Sequence, residues 1–524
     1  SNMKKYNKKA MAMMLLTTTI ATYTYAQEIE EIVVMGTTMY ETESNPSTDV
    51  LLLESLIPES TQAGGYGGFS GYTERGTQTI HTSVFRNGVP ANDAGSGWYD
   101  FGHDYATGSE TIKVVNGVNS VLYGSGSLGG TVFIKDDLTK DSSTLRVGQQ
   151  HNFASHTSNG FNISYFDVSN DSVKTNNDER DDYSNLTARN QFTVGEFTTN
   201  LSATSYEYDY DGCYTASFSS SNDCSQLGSK GTLSIRNDNY TFGYSFNNAK
   251  YKTENVQTYS SDAERAYVDT RHTVGNHIFG ATVEYEEYAD NSQDNISAYA
   301  LFNFTNTNIG VRVTEDTLVG RLGFATDNFY FSAGTSYRNP TLYEINGDAW
   351  TLANFDLDPE EALGYELGYG NLTYFNYHFS EGIDYSYASS QFVNTGEYDT
   401  QGVRYNNSMS FDYLDTFIGY ELGYTDSDQP RVAKYKAIIT SVHQVDNYKL
   451  SFTYTGLFDR EPGPYDGTAM LDDVSSIDYK IEGSIAPNYL LSATIRDILD
   501  RRYEYIPGYN SGGVEFFITL QYRP

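Results

Sequence analysis

Two groups of residues in the chain have types and spacings that could do chemistry, and they lie side by side. Cys213 and Cys224 are the only cysteines, and ten residues of a polar, serine-rich segment separate them. Asp209, Asp211 and Asp223 lie close to this pair. Carboxylates at alternate positions can wrap a hard cation such as calcium. A calcium site is therefore one interpretation of this segment, and a solvated acidic loop is the other.

Catalytic constellations do not stand out in the rest of the chain. The 8 histidines show no paired metal-binding spacing. Gly124-Ser125-Gly126 has the glycine flanks of a nucleophile elbow, but it lacks the strand-to-helix context and the partners that such a serine needs. We therefore predict that the protein is not an enzyme and that it requires no cofactor.

The composition restricts the partners of the protein. Asp and Glu total 68 against 33 for Lys and Arg, which gives a formal charge of −35. Nucleic acid is an unsuitable partner because phosphate binding needs a basic surface. Aromatic residues make up 15% of the chain, including 47 tyrosines. Tyrosine has an apolar ring and a polar tip, so this abundance suits a boundary between membrane and water.

The first 26 residues are typical of a cleavable signal peptide. Lys4-Lys5 and Lys8-Lys9 precede the apolar run Ala10–Ile20, and Ala26 is the small residue at the expected cleavage site. A retained membrane anchor is the alternative, but the apolar run is too short to span a bilayer. In an exported protein, two cysteines this close predict a disulfide, with two free thiols as the alternative.

Residues 27–137 differ in pattern from the rest of the chain. Residues 27–50 are polar and predict a flexible tether. Residues 51–137 predict a small mixed α/β domain that begins with a helix over Leu51–Ile57, which Pro58 ends. Its short strands are predicted near Gln78–Phe85, Thr111–Val115 and Thr131–Ile134.

Residues 138–524 alternate between apolar and polar positions. Clear runs of aromatic or aliphatic residues at every second position are Tyr240, Phe242, Tyr244, Phe246 and Phe516, Ile518, Leu520, Tyr522. This period predicts strands whose two faces meet different media. A soluble sandwich or propeller is the alternative, but it would carry Val, Ile and Leu on its apolar face rather than Tyr and Phe. If 22 strands form, each has about 17 residues, enough for a membrane strand and a connection.

Motifs of the N-terminal region follow one another in the order and spacing of a known family. They are Tyr72–Gly76, Arg86–Asp93, Val114–Gly117 and Val121–Ile134. This series resembles the plug domain of TonB-dependent outer-membrane receptors. Two departures occur: Asn87 replaces the usual Asp, and Asn116-Gly117-Val118 lacks the usual Arg and Pro. Both replacements are still turn formers.

Later motifs extend the resemblance over nearly the whole mature chain. Tyr337–Glu344, Leu357–Glu361 and Tyr365–Gly368 are similar to the family's mid-barrel signature, and Asp500–Tyr505 to its penultimate-strand motif. The resemblance implies an all-β transmembrane barrel of 22 antiparallel strands with the N-terminal mixed α/β plug domain inside it. It also implies a monomer in the outer membrane of a Gram-negative bacterium, in contact with the lipid bilayer.

The segment Glu31, Ile32, Val33, Val34 resembles the TonB box. A short β-prone segment on a tether can add as a strand to a partner's sheet edge. The implied partner is TonB with its inner-membrane energising complex, and the implied function is active import of a scarce, large ligand. A passive porin or a surface adhesin is the alternative; a porin would lack plug and box, and an adhesin would carry long repeats outside the barrel.

The implied ligand is a ferric siderophore or a cobalamin-type chelate. Two glycine-containing segments lie where the apical plug loops of the cobalamin receptor meet their ligand. The residues implied to bind are Gln62, Tyr66, Phe69, Asn92, Ser96, Trp98 and Tyr99. The alternative is that these rings pack the plug against the barrel wall. The acidic segment around the cysteines lies near the calcium-binding loop of that receptor. The resemblance disfavours haem, because the haem receptors of the family place a histidine between the two mid-barrel motifs and Pro340–Asp358 contains none.

Overall fold

The computed structural model of the protein describes most of the chain. The described residues are 39–42, 60–63, 69–73, 75–105, 107, 109–170, 181–211, 213–214, 220–221, 224–253, 256–348, 350–411, 415–464, 466–501 and 503–524. The predicted signal peptide, the TonB-box segment and the helix predicted over Leu51–Ile57 lie outside them. Among the described residues, no helix combines the length and the apolarity needed to cross a bilayer.

The N-terminal domain is built around a five-stranded mixed sheet. Its strands and those of a separate hairpin are β1 (Met39–Thr42), β2 (Ser60–Ala63), β3 (Phe69–Tyr72), β4 (Thr82–Arg86), β5 (Val89–Pro90), β6 (Glu110–Asn116) and β7 (Gly130–Asp136). The sheet order is β1-β6-β7-β4-β5, and β2 pairs with β3 alone. Only β4 and β7 run parallel among the described pairs of this sheet.

Short helical turns connect these strands. They are α1 (Ser120–Tyr123) and two 3₁₀ turns, Thr79–His81 and Phe101–His103. The strand predicted near Gln78–Phe85 therefore begins later than expected, at Thr82, because the 3₁₀ turn occupies its first residues. The apolar core of the domain is formed by Tyr72, Val84, Phe101, Ile112, Val114, Val132 and Ile134.

The remaining strands follow in chain order and most of them form one closed barrel. They are β8 (Ser142–Gly148), β9 (His151–Ser158), β10 (Phe161–Asn170), β11 (Asp181–Val194), β12 (Phe197–Tyr210), β13 (Cys213–Tyr214), β14 (Ser220–Ser221), β15 (Cys224–Arg236), β16 (Tyr240–Thr253), β17 (Val256–Val274), β18 (His277–Tyr288), β19 (Asn291–Asn303), β20 (Thr307–Val313), β21 (Leu318–Ala325), β22 (Phe329–Arg338), β23 (Glu360–Tyr369), β24 (Leu372–Ser380), β25 (Ile383–Ser386), β26 (Gln391–Asn394), β27 (Tyr398–Phe411), β28 (Thr416–Ser427), β29 (Ala433–Val445), β30 (Tyr448–Arg460), β31 (Val474–Ala486), β32 (Tyr489–Arg496) and β33 (Glu515–Tyr522). The pairs β13-β14 and β25-β26 are separate hairpins, and the other 22 strands close through the pairing of β33 with β8. The predicted barrel of 22 antiparallel strands is confirmed.

The alternation of the sequence explains the barrel wall. In β33, Phe516 and Ile518 are exposed on the outer face, whereas Phe517, Thr519 and Gln521 are buried on the inner face. The aromatic and aliphatic positions therefore face outwards, where a bilayer solvates them, and the polar positions face the lumen. A soluble β protein would place its apolar positions inside.

The two ends of the barrel differ in their connections. Turns such as 159–160, 195–196 and 370–371 are short, whereas the connections 339–359, 381–397 and 497–514 are long. In outer-membrane barrels short turns face the periplasm and long loops face the exterior. The loop 339–359 contains the one-turn helix α2 (Leu342–Asn346), whose N-cap Thr341 and Glu344 form a capping box.

The N-terminal domain fills the barrel lumen, so we call it the plug. Arg312 of β20 donates to the carbonyl oxygens of Val121 (2.9 Å) and Leu122 (3.0 Å) in α1. On another side of the lumen, Ser234 of β15 donates to the carbonyl oxygen of Asn87 (2.6 Å). The predicted division at residue 137 falls in the connection between the end of β7 and the start of β8.

Candidate ligand vestibule and plug interface

The outward tip of the plug is the loop 92–99, and its shape is set by two side chains. The Asn92 amide accepts from the Val84 N–H (2.7 Å) and donates to the carbonyl oxygens of Thr82 and Gly97 (both 3.1 Å). The Asp93 carboxylate accepts from the Gly95 and Ser96 N–H groups (3.0 and 2.8 Å). Such Asx contacts hold a tight turn. Asn92 is predicted to bind ligand, but its amide makes these hydrogen bonds within the plug.

Trp98 and Tyr99 point to different surroundings. The Trp98 side chain is 47% exposed, and its ring lies 5.2 Å from that of Phe69, centroid to centroid. The Tyr99 ring instead packs on Phe101 (4.6 Å), and its hydroxyl donates to Asp104. Burial and the Asp104 charge raise the pKa of Tyr99 well above its ordinary value. Trp98 is thus available at the mouth, while Tyr99 packs within the plug.

Barrel side chains close around this tip. The Asn247 amide donates to Asp93 (3.3 Å) and accepts from the Tyr206 hydroxyl (3.1 Å). The Tyr288 ring lies directly against Gly95, so a side chain at that glycine would collide with it. The Tyr343 N–H donates to the Gly95 carbonyl oxygen (3.1 Å). We define the vestibule as the outward-facing space around loop 92–99 that these residues border.

The sequence alone did not select Tyr206, Tyr288 and Tyr343 as site residues. Each is one of 47 tyrosines, and only the register of the barrel strands and the course of the loop after β22 bring these three to the plug tip. Their positions, near the outer ends of strands or in the loop after β22, could have indicated these tyrosines as site residues. Recognising these positions needs the strand boundaries, which alternation gives only approximately.

One buried ion pair and one buried contact between a histidine and a carboxylate join the flank of the plug to the barrel. Arg75 of the plug donates to Glu366 of β23 (2.5 Å) and to the Tyr377 hydroxyl (2.6 Å). His81 lies 3.1 Å from Glu360, which also accepts from Arg338 (2.5 Å). All of these side chains are buried, so the charges of Arg75 and Arg338 depend on their carboxylate partners.

A further barrel cation holds the base of the tip loop. Arg265 of β17 donates to the Asn92 carbonyl oxygen (2.5 Å) and to Glu284 (3.0 Å), and it is also paired with Glu286. These groups line a cavity of about 100 Å³ between plug and wall. Pockets that hold small ligands usually have about 300–1,000 Å³, so this cavity is too small for a chelate. Passage of a chelate between the plug and the barrel wall therefore requires the plug to move.

The comparisons with known proteins agree with this architecture. Residues 33–131 match the TonB-dependent receptor plug domain model. The siderophore receptor PirA from Acinetobacter baumannii superposes with a TM-score of 0.71 at 13% identity, over 95% of this chain and 100% of that chain. A ferric enterobactin receptor (PfeA) mutant from Pseudomonas aeruginosa gives 0.70 at 14%, with the same coverage. The copper transporter OprC gives 0.70 at 13%, over 93% and 98%.

The chain therefore contains a plug domain of the TonB-dependent receptor kind, inside a barrel with the fold of the solved siderophore receptors, and we call it the receptor. The plug match, the closed 22-stranded barrel and the plug inside its lumen together support this assignment. The receptor resides in the outer membrane of a Gram-negative bacterium, as predicted. Members of the family are receptors and transporters rather than enzymes, and TonB and a small-molecule ligand are their partners.

Within the plug of the receptor, the Asn87 side chain uses both halves of its amide to hydrogen-bond Asp136. Its Nδ2 donates to Asp136 (2.8 Å) and its Oδ1 accepts from the Asp136 N–H (2.9 Å), while its φ of 51° is left-handed. Asparagine tolerates that conformation. Burial disfavours the Asp136 charge, but Arg86 overrides it and lowers the pKa of Asp136. A second carboxylate at position 87 would face this charged group.

Glu110 shows the opposite balance in the same part of the plug. Burial, followed by the charge of Asp136, raises the pKa of Glu110, although it accepts from the Thr107 N–H (3.0 Å) and hydroxyl (2.6 Å). Two neighbouring carboxylates thus differ because one lies against Arg86 at 2.8 Å and the other at 4.0 Å.

Several predicted site residues of the receptor are outside the described part of the chain or only partly inside it. Glu31, Ile32, Val33, Val34, Tyr66 and Asp223 lie outside it. Gln62 belongs to β2, but its side chain is not among those described. The roles predicted for these residues in TonB coupling, ligand binding and calcium binding stay predictions.

The acidic segment of the receptor follows β12. Asp209 is the last residue but one of this strand, and Asp211 follows the strand directly. Cys224 is buried and disulfide-bonded; its predicted partner Cys213 begins β13, and that side chain is outside the described set. Among the described residues, no group of acidic, histidine or cysteine side chains has the geometry of a metal site. Calcium binding stays a prediction.

Proposed function

We propose that the receptor actively imports a scarce metal chelate of the ferric siderophore or cobalamin type. The observation that carries this proposal is the vestibule: the plug tip carries an exposed tryptophan, and tyrosines of the barrel wall and of one loop border that tip at the outward end of an occluded lumen. Aromatic rings with polar tips suit a planar or macrocyclic ligand, since they offer apolar area and hydrogen bonds together.

The occluded lumen favours energised import over a passive porin. The plug contacts the wall on several sides of the lumen, and the cavity beside it is only about 100 Å³ in volume. A tightly bound ligand leaves its site only when another interaction changes the balance between conformations. We propose that TonB supplies this work by pulling on the segment Glu31–Val34.

The coupling segment provides the test of this proposal. Val33→Pro removes a backbone donor and fixes φ, so strand addition to TonB should fail. We expect uptake of ⁵⁵Fe-labelled hydroxamate or catecholate chelates, or of ⁵⁷Co-cobalamin, to be lost while binding to whole cells persists. The cells should lack their other receptors for these probes.

Val33→Ile is the matched control because it keeps both the donor and the β propensity. It should import like the unmodified receptor. Uptake that continues in Val33→Pro cells, or in cells without TonB, would contradict active import and favour a passive or adhesive function.

A further inference from the structure

Two neighbouring extracellular segments form one surface, which we call the platform: residues 350–358 and residues 381–394. The Leu352 N–H donates to the Ser390 carbonyl oxygen (2.7 Å), and the Asn354 amide donates to that of Phe392 (2.8 Å). The Asn394 amide donates to the carbonyl oxygen of Asp358 (3.1 Å). Hydrogen bonds along both segments therefore hold them in one arrangement.

The platform has an aromatic interior and an apolar exterior. Inside, the Phe392 ring packs against Tyr385 (5.5 Å) and against Tyr343 of α2 (5.7 Å). Outside, Phe355 is 77% exposed and Leu352 62% exposed. These two lie in a loop rather than on a membrane-facing strand, so the bilayer does not account for them. An exposed apolar surface of this kind marks a binding face.

The platform is continuous with the vestibule. Tyr343, which supports the platform, also donates its N–H to Gly95 of the plug tip (3.1 Å). The methyl group of Thr341 lies against Gly97, whose φ of 77° favours glycine. A ligand that leaves the platform on this side therefore meets the plug tip directly.

The charges of the platform itself have one sign. The platform contains Asp356, Asp358, Glu381 and Asp384 and neither lysine nor arginine, and residues 92–100 of the plug tip are also acidic without either. Asp356 and Asp358 are exposed. The arginines that border the route deeper in the lumen are paired: Arg265 with Glu284 and Glu286, and Arg338 with Glu344 and Glu360. A field of this sign attracts cations and repels anions at the mouth.

We propose that the platform is the first docking surface for a cationic chelate, one with positive charge beside an apolar or aromatic face. This inference rests on the proposed import function and narrows its substrate class. It favours hydroxamate-type ferric chelates with an ammonium group over trianionic tricatecholate chelates. Leu352 and Phe355 contact the apolar face, while Asp356 and Asp358 attract the charge.

Binding to the purified receptor tests the charge. The probes are a ferric trihydroxamate chelate with a terminal ammonium, the same chelate N-acetylated and therefore neutral, and a ferric tricatecholate. We expect the cationic probe to bind most tightly and to weaken as salt rises. Asp356→Asn with Asp358→Asn should weaken only the cationic probe, by about threefold to tenfold.

Apolar contacts are tested by Leu352→Ser with Phe355→Ser. Binding of the cationic and neutral trihydroxamate probes should both weaken, by about tenfold or more, because both share the apolar face. Met470→Ser is the matched control, since Met470 is an exposed apolar residue (51%) in another acidic extracellular loop. It should bind both probes like the unmodified receptor.

Several results would overturn the inference. They are tighter binding of the tricatecholate, absence of binding by the cationic probe at 100 µM, and unchanged binding in the Leu352 and Phe355 variant. A change of oligomeric state in that variant without a change in binding would assign the platform to self-association instead. TonB-dependent uptake of any other chelate would leave the import proposal standing, so the two failures are distinguishable.

Discussion

The plug of this receptor meets the barrel differently at its flank and at its outward tip. At the flank, Arg75 is 1% exposed and lies between Glu366 and Tyr377. At the tip, Trp98 is 47% exposed, and the loop around it is shaped by its own Asn92 and Asp93 side chains. Buried charges fix where the plug sits because they tolerate no other partner. The tip is shaped locally and leaves an aromatic surface for a ligand.

The largest expected effect is a loss of plug stability when the buried ion pair at the flank is broken. Glu366→Leu leaves the Arg75 guanidinium buried without its carboxylate, which typically costs about 3–5 kcal/mol. We expect the plug to unfold at lower denaturant concentration, while the barrel persists. The chain has only two tryptophans, so Trp350→Phe leaves Trp98 fluorescence as a reporter of the plug alone.

Glu361→Gln is the control for this change. Glu361 lies on the same strand as Glu366, but its side chain is exposed. It should alter the free energy of unfolding of the plug by less than about 0.5 kcal/mol. Equal stability of the Glu366 and Glu361 variants would show that the flank pair does not hold the plug.

A smaller effect is expected within the plug, at Asn87. Asn87→Asp replaces a donor to Asp136 with a second carboxylate, so the plug should lose about 1–3 kcal/mol at pH 8. The loss should shrink at pH 5, because the like-charge neighbour raises the pKa of the new carboxyl group and protonation removes the repulsion. Trp98 fluorescence in denaturant at both pH values measures it.

Asn159→Asp is the matched control, since Asn159 has the same φ of 51° but occupies an exposed turn. That variant should show neither the destabilisation nor its dependence on pH. Equal behaviour of the two variants would attribute the effect to backbone conformation rather than to Asp136.

The sequence predicted the barrel well because the alternation acts on every strand. Phe516 and Ile518 face outwards and Thr519 faces the lumen because successive side chains of a strand point to opposite faces. The start of the strand at Thr82 was missed because His81 turns back to contact the Gln78 N–H (3.3 Å) and reaches Glu360, 279 positions away. Long-range partners of this kind are absent from a local pattern.

The vestibule was predicted in part for a related reason. Loop 92–99 was found because its glycines and aromatics are contiguous in the chain. The contrast between Trp98 and Tyr99 was not predicted, since side chains in an irregular loop follow no fixed period. Tyr288 reaches Gly95 only through the register of β17, β18 and β19, which the sequence does not state.

The tip gives a prediction on affinity rather than on stability. Trp98→Ala should weaken binding of the imported chelate by roughly 1–3 kcal/mol, as for other aromatic anchors, and leave plug stability unchanged. Tyr99→Ala should instead destabilise the plug, because it removes the packing on Phe101 and the donor to Asp104. Titration of the purified variants and their denaturation, followed by circular dichroism, separate the two. Normal binding by the Trp98 variant would refute the tip as a ligand contact.

The smallest expected effect concerns the Tyr99 hydroxyl at alkaline pH. Burial and Asp104 raise the pKa of Tyr99, so the folded plug keeps it neutral where the unfolded chain ionises it, near pH 10. Its contribution is therefore complete below pH 10 and declines above it. Tyr99→Phe removes this term and also the hydrogen bond to Asp104, so at pH 8 it should be less stable by about 1 kcal/mol. The difference in free energy of unfolding between the two proteins should narrow from pH 9 to pH 11, as measured by denaturation at each pH.

Tyr369→Phe, at a 70% exposed tyrosine, is the control and should leave the pH dependence of stability unchanged. A constant gap would mean that the Tyr99 hydroxyl contributes equally in both ionisation states, which its contact with a carboxylate forbids.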